Sequence, residues 1–183
     1  EDHTLLSELG VNSFRLSLEW SRLEPAEGKF NEESFRQYRE ILQDLKNRNI
    51  KTVVTFWHWT SPQWFQKNYG LHRKESRKKF AAYGEKVMDE LGDLIDIAVT
   101  INEPMVPLGM GFLAGGFPPG YKNPLKFWRA LSNLAAIHRE LYGIIHKKKN
   151  IPVGITHLYN YYAAESSNFL GKIIYWFSKF FRV

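Results

Sequence analysis

The chain has 183 residues, 44% hydrophobic and 24% charged, the make-up of a soluble globular protein with enough length for one cored domain. It has no cysteine, which excludes disulfides and thiolate metal sites and suits a reducing cytoplasm. Its formal net charge of +6 gathers at 73–79 and 146–149 without a motif that reads bases, so the charge is read as solvated helix surface and not as a nucleic-acid interface.

No Met and no basic-then-apolar leader opens the chain, and Leu5, Leu6 and Leu9 fall at helical spacing before Gly10. The chain therefore reads as a fragment that begins within a helix. Residues 11–20 read as a strand, with Phe14, Leu16, Leu18 and Trp20 on one face and Arg15, Ser17 and Glu19 on the other. After a loop marked by Pro25 and Gly28, Asn31 caps a helix to about residue 48, buried through Phe35, Tyr38, Ile41, Leu42 and Leu45. Residues 51–59 form a second strand, closed by Pro62. A helix over 73–91 turns Phe80, Val87, Met88 and Leu91 inward, and 95–101 is a short strand, apolar as buried parallel strands are. A Gly/Pro-rich loop runs from 104 to 123. Pro124 then suits the first turn of a helix to about 148, followed by a strand over 152–159 and a helix over 166–182.

Strands alternating with helices predict a parallel sheet with right-handed crossovers, either doubly wound or part of a (β/α)₈ barrel. A doubly wound nucleotide binder needs a glycine-rich turn after its first strand, whereas Trp20-Ser21-Arg22-Leu23-Glu24 stands there. Polar residues on the strands or at their C-terminal ends (Arg15, Ser17, Glu19, His58, Asn102, Glu103) favour the barrel, which keeps its chemistry there.

Three groups carry that chemistry. Glu103 follows an apolar strand, and Pro104 biases it toward an extended backbone. A carboxyl among aromatics at a barrel mouth favours its protonated form and suits general acid catalysis on an ether-like oxygen. Asn102 beside it offers amide donors and an acceptor to a hydroxyl. His58, between Trp57 and Trp59, can donate a hydrogen bond while an indole stacks on a pyranose ring, although a core His among packing aromatics reads the same way. Arg15 needs an anionic partner, with Glu19 or a carboxylate from elsewhere as candidates. The 15% aromatic content fits either a packed core or a stacking cleft. No metal or other cofactor is called for.

The segment VNSFRLSLEWSRLEP at 11–25 resembles the second-strand signature of glycoside hydrolase family 1, the β-glucosidase and β-glycosidase family. TFWHWTSP resembles the family's third-strand motif, TINEP its acid/base motif, and GMGFLAGGFPPG at 109–120 the loop that follows. The resemblance spans essentially the whole chain in the right order. It implies a retaining β-glycosidase, with Glu103 as acid and then base, Asn102 on the sugar 2-hydroxyl, His58 on a neighbouring hydroxyl and Trp59 bordering the sugar. Arg15 would orient a nucleophilic carboxylate.

The resemblance also implies that the chain carries strands two to five of an incomplete (β/α)₈ barrel, one partial domain over 1–183. The nucleophile's motif lies beyond it. Neither Glu19 nor Glu165 is assigned that role, and the isolated chain is expected to be inactive. Other readings are a non-catalytic sugar-binding module and a half-barrel that self-associates through its uncovered surfaces. The greasy last helix (Phe169, Leu170, Ile173, Ile174, Trp176, Phe177, Phe180, Phe181) reads as a barrel helix awaiting partners or as an interfacial membrane helix. At about 17 residues it is short for a span.

Overall fold

The structure, a computed structural model, describes residues 2–159, 171–173 and 176. Helix α1 (Asp2–Glu8) ends at Gly10, which takes a left-handed φ of 70°. Strand β1 (Ser13–Ser17) is shorter than the predicted 11–20, because Glu19 leaves the strand to cap a helix. Its carboxylate accepts from the Ser21 backbone N–H at 3.2 Å and opens α2 (Trp20–Leu23). The predicted face survives the correction: Leu18 and Trp20 are buried, and Phe14 and Leu16 half-buried.

Helix α3 (Glu32–Asn47) starts where Asn31 accepts from the Ser34 N–H, with Glu32 and Glu33 in its first turn and Lys46 in its last, matching its macrodipole. Next come β2 (Lys51–Trp57), the unforeseen short helix α4 (Gln63–Asn68), α5 (Ser76–Leu91) and β3 (Ile97–Asn102). The segment predicted as loop over 104–123 contains α6 (Met105–Leu108), which continues into π-helical turns over Gly109–Ala114. Gly111 permits this, because a Cβ there would stand 2.8 Å from the Pro118 carbonyl oxygen. Helix α7 (Pro124–Lys148), capped by Asn123 with Pro124 in its first turn, leads to β4 (Val153–Thr156). Most of the predicted last helix lies outside the described residues, as does Glu165; 171–173 and 176 are helical. No described helix is long and apolar enough to cross a membrane.

The four strands are parallel and lie in the order β1-β2-β3-β4. A doubly wound sheet reverses its strand order; this one runs sequentially, as barrel strands do. The fold is a partial (β/α)₈ barrel. Helices α3, α5 and α7 share one continuous core with the sheet that includes Leu42, Val54, Phe56, Phe80, Ala98 and Leu141. Helices α5 and α7 approach closely at Gly84, where an added Cβ would meet Leu141 Cδ2 at 2.2 Å.

Asp96 fastens β3 to its neighbour. It accepts from the Thr52 N–H at 2.9 Å and from Lys46 Nζ at 2.5 Å. Burial pushes its carboxyl up, but the Lys46 and Thr52 bonds outweigh that and hold it below 3.8. A carboxyl held low in the fold contributes stability above its unfolded value and loses it as pH falls through the folded one. Asp96→Asn should therefore cost about 1–3 kcal/mol near neutral pH. Urea midpoints should show that cost shrinking as pH falls below the ordinary aspartate range.

Candidate active site

From Val99 to Asn102, β3 spends three steps where β4, from Gly154 to Thr156, spends two. The extra residue is a bulge, and bulges re-aim side chains. Thr100 bonds His138 of α7 at 2.7 Å and Ile101 joins the helix-side core, so both turn toward the helices. Asn102 is thereby delivered to the opposite face, beside Thr156. There its Oδ1 accepts from Thr156 Oγ1 at 2.7 Å and Arg15 Nη2 at 2.5 Å. Arg15 is itself anchored, with Nε donating to Thr55 Oγ1 at 2.9 Å. With the amide oxygen taken twice, Asn102 keeps Nδ2 as a donor.

Glu103 follows at once, half-buried, with its backbone N–H on the Thr156 carbonyl at 3.0 Å. None of the described residues bonds its carboxyl. Its φ is +41°, not the extended backbone predicted from Pro104. The bulge and the Thr156 bond override the local preference of a residue before proline. Trp59, at the end of the neighbouring strand, has a φ of +74°. A left-handed backbone at bulky residues costs about 1–3 kcal/mol each and concentrates at functional sites. The two strained residues are linked, because Trp59 Nε1 donates to the Asn102 carbonyl at 2.9 Å. Trp59 also packs edge-on against His58 and, at 6.1 Å, beside Phe117 of the long loop.

His58 is exposed, and its Nδ1 is held by Ser17 Oγ at 2.8 Å, which leaves Nε2 facing outward. The core reading of this histidine is thereby overturned. Of the two candidate partners for Arg15, Glu19 is not the one it meets. Arg15 bonds Thr55, Asn102 and Thr156, while Glu19 caps α2 and accepts from Thr60 Oγ1 at 2.7 Å. Thr55, Thr156 and Ser17 hold the site together; of these, sequence reasoning singled out only Ser17, for its polar face. Alternation places Thr156 on that face too, but its partner Asn102 lies 54 residues away. Among the described residues no cluster of His, Asp and Glu could hold a metal ion.

Arg15, from the middle of β1, thus converges with His58, Asn102 and Glu103 at the C-terminal ends of β2 and β3. The arrangement offers a carboxyl that no described residue bonds, an amide donor and an imidazole beside an indole. It suits a neutral, hydroxyl-rich ligand.

The sequence profile described as glycosyl hydrolase family 1 matches residues 1–173. A β-glucosidase from an Agrobacterium species is 31% identical over 159 residues, 85% of this chain and 34% of that protein. A β-glycosidase from Pyrococcus horikoshii superposes with a TM-score of 0.89 at 37% identity, covering 99% of this chain and 42% of that one. The family 1 β-glucosidase from Thermotoga maritima gives 0.90 at 27% identity, with 99% and 41% covered. The chain therefore spans about a third of the length of such curated relatives. The chain belongs to glycosyl hydrolase family 1.

Proposed function

We propose that this chain carries the acid/base half of a retaining β-glycosidase acting on β-glucosides or related β-glycosides. The observation that carries the reading is the Asn102–Glu103 pair: an amide clamped by Arg15 and Thr156 with its N–H₂ outward, beside a carboxyl that none of the described residues bonds. Family membership supports it, and the Thermotoga maritima relative has been solved in complex with deoxynojirimycin.

In the first step the Glu103 carboxyl gives its proton to the glycosidic oxygen as the bond from that oxygen to C1 breaks. A second carboxylate, about 5–5.5 Å away, bonds C1 from the opposite face. In the second step Glu103, now a carboxylate, takes a proton from water, whose oxygen bonds C1 as the bond from C1 to the second carboxylate breaks, releasing the sugar with its configuration retained. Asn102 donates to the 2-hydroxyl, His58 Nε2 serves a neighbouring hydroxyl, and Trp59 borders the ring. Arg15 keeps Nη1 for the second carboxylate.

That carboxylate is assigned to a segment outside these 183 residues, which form one partial domain with the second to fifth barrel strands. The complete enzyme means this chain joined to that segment, and the chain alone is inactive. Its lack of cysteine fits the cytoplasm. Strands β1 and β4 end the described ladder, so a sugar-binding or self-associating half-barrel is the second reading.

The test uses the 2-hydroxyl. In the complete enzyme Thr156→Val frees the Asn102 amide to rotate, so kcat/KM for 4-nitrophenyl β-glucoside should fall about 5- to 30-fold, the worth of one misplaced hydrogen bond. The 2-deoxy analogue should lose less than threefold under the same change. Equal losses on both substrates would sink the assignment of Asn102.

A further inference from the structure

The basic run at 73–79, read from sequence as solvated helix surface, forms one wall of a cleft of about 750 Å³ between the N-terminal ends of α5 and α7. Arg73, Lys74 and Arg77 line one side, and Lys126 and Arg129 the other. Glu75 is the carboxylate on the wall, against these five cations.

These cations have no anionic partner among the described residues. Elsewhere on α5, Lys79 pairs with Glu27 at 2.5 Å, and Lys86 with Glu90 at 2.8 Å and Glu32 at 3.1 Å. Lys148 on α7 pairs with Asp89. None of the five cleft cations forms an ion pair among the described residues. Three of them contact neutral groups instead. Arg77 Nε donates to Asn133 Oδ1 at 3.0 Å, and Asn133 in turn donates to the Leu71 carbonyl at 2.8 Å. Arg73 holds the Asn68 carbonyl, and Lys126 sits 3.6 Å over the Tyr121 ring.

Like charges brought together in a concave wall repel one another and focus a positive field, which an anion relieves. His72 records that field. Burial holds its imidazole below the ordinary value, and Lys126, Arg73 and Arg129 push it further the same way. Its buried Nδ1 has no hydrogen-bond partner among the described residues. The cleft has the volume of a small-molecule site, and the Trp128 indole, 62% exposed, stands on its wall as an aromatic face.

We propose that this cleft is a binding site for a phosphate ester, with the guanidinium and ammonium groups around the phosphoryl oxygens and Trp128 against the organic moiety. Arg forks match a phosphate geometrically, and both Arg and Lys gain from the charge-assisted bonds. The site lies outside the Asn102–Glu103 constellation and does not depend on the glycosidase reading.

Calorimetric titration of the full chain at low salt with inorganic phosphate and glucose 6-phosphate tests it, beside cosedimentation with phosphatidylglycerol-containing vesicles. Saturable binding is expected, at least about tenfold weaker in Arg73→Gln/Arg129→Gln, whose exposed side chains carry no core contact. Lys74→Gln/Lys126→Gln, tested separately, should weaken it in the same direction. Binding of the soluble esters would identify a free phosphorylated ligand. Vesicle binding alone, with the same sensitivity to both variants, would identify a lipid headgroup phosphate. No saturable binding to any probe, or binding that both double variants retain in full, overturns the proposal.

Discussion

Glu103→Gln in the complete enzyme should lower kcat/KM on an unactivated β-glycoside, such as cellobiose, by about 10²- to 10⁴-fold. The amide keeps the shape and much of the hydrogen bonding of the acid but cannot deliver a proton. The loss should depend on the leaving group. Dinitrophenolate leaves without protonation, so the first step on a dinitrophenyl glucoside should be nearly unaffected, and the sugar–enzyme ester should accumulate because the second step has lost its base. Burst kinetics would show that split. Uniform losses across leaving groups would mean that Glu103 supports the site without transferring protons.

The largest effect on stability should come from Trp20→Ala. Trp20 is 1% exposed and stacks on Tyr83 at 4.8 Å, with Phe80 at 4.7 Å and Phe65 at 4.9 Å around it. It joins α2 to α4 and α5 beneath the strand ends that present Glu19 and His58. Truncating a buried Trp costs about 3–5 kcal/mol. A second cost adds to this. Trp20 Nε1 donates at 2.7 Å to the buried Glu24 carboxyl, whose other oxygen holds the Gly28 N–H. Burial raises the Glu24 carboxyl above its ordinary value, and the Trp20 bond is the largest influence bringing it back down. Trp20→Phe, which keeps most of the packing and removes that donor, should cost about 1–3 kcal/mol. Urea unfolding should order wild type, Phe and Ala in that sequence. An Ala variant within about 1 kcal/mol of wild type would remove Trp20 from the core.

Much of this was legible in the residues. Asn31 caps its helix and Pro124 opens the next long one as the sequence indicates, and the alternation over Phe14, Leu16, Leu18 and Trp20 marks the buried face. The misreadings share a physical cause, the dominance of distant partners over local preference. Period-two reasoning put Glu19 beside Arg15, but the strand stops at Ser17 and Glu19 turns into a cap. The proline rule called for an extended Glu103, whereas a one-residue mismatch between β3 and β4 sets its backbone. Arg15 and Asn102 are 87 residues apart, and only the parallel ladder brings the guanidinium to the amide. The run at 73–79 is solvated as read, but that Lys126 and Arg129 face it from another helix is not visible in the chain order.

The role of Glu103 is tested most directly by chemical rescue of Glu103→Ala with azide in the complete enzyme. If Glu103 is the acid/base of a retaining glycosidase, azide enters the vacated space and attacks C1 of the sugar–enzyme ester from the side opposite the second carboxylate. The account predicts restored turnover of an activated aryl glucoside, with β-glucosyl azide as the product by NMR. An α-glucosyl azide would make Glu103 the nucleophile instead, and no rescue at all would contradict a catalytic role for it.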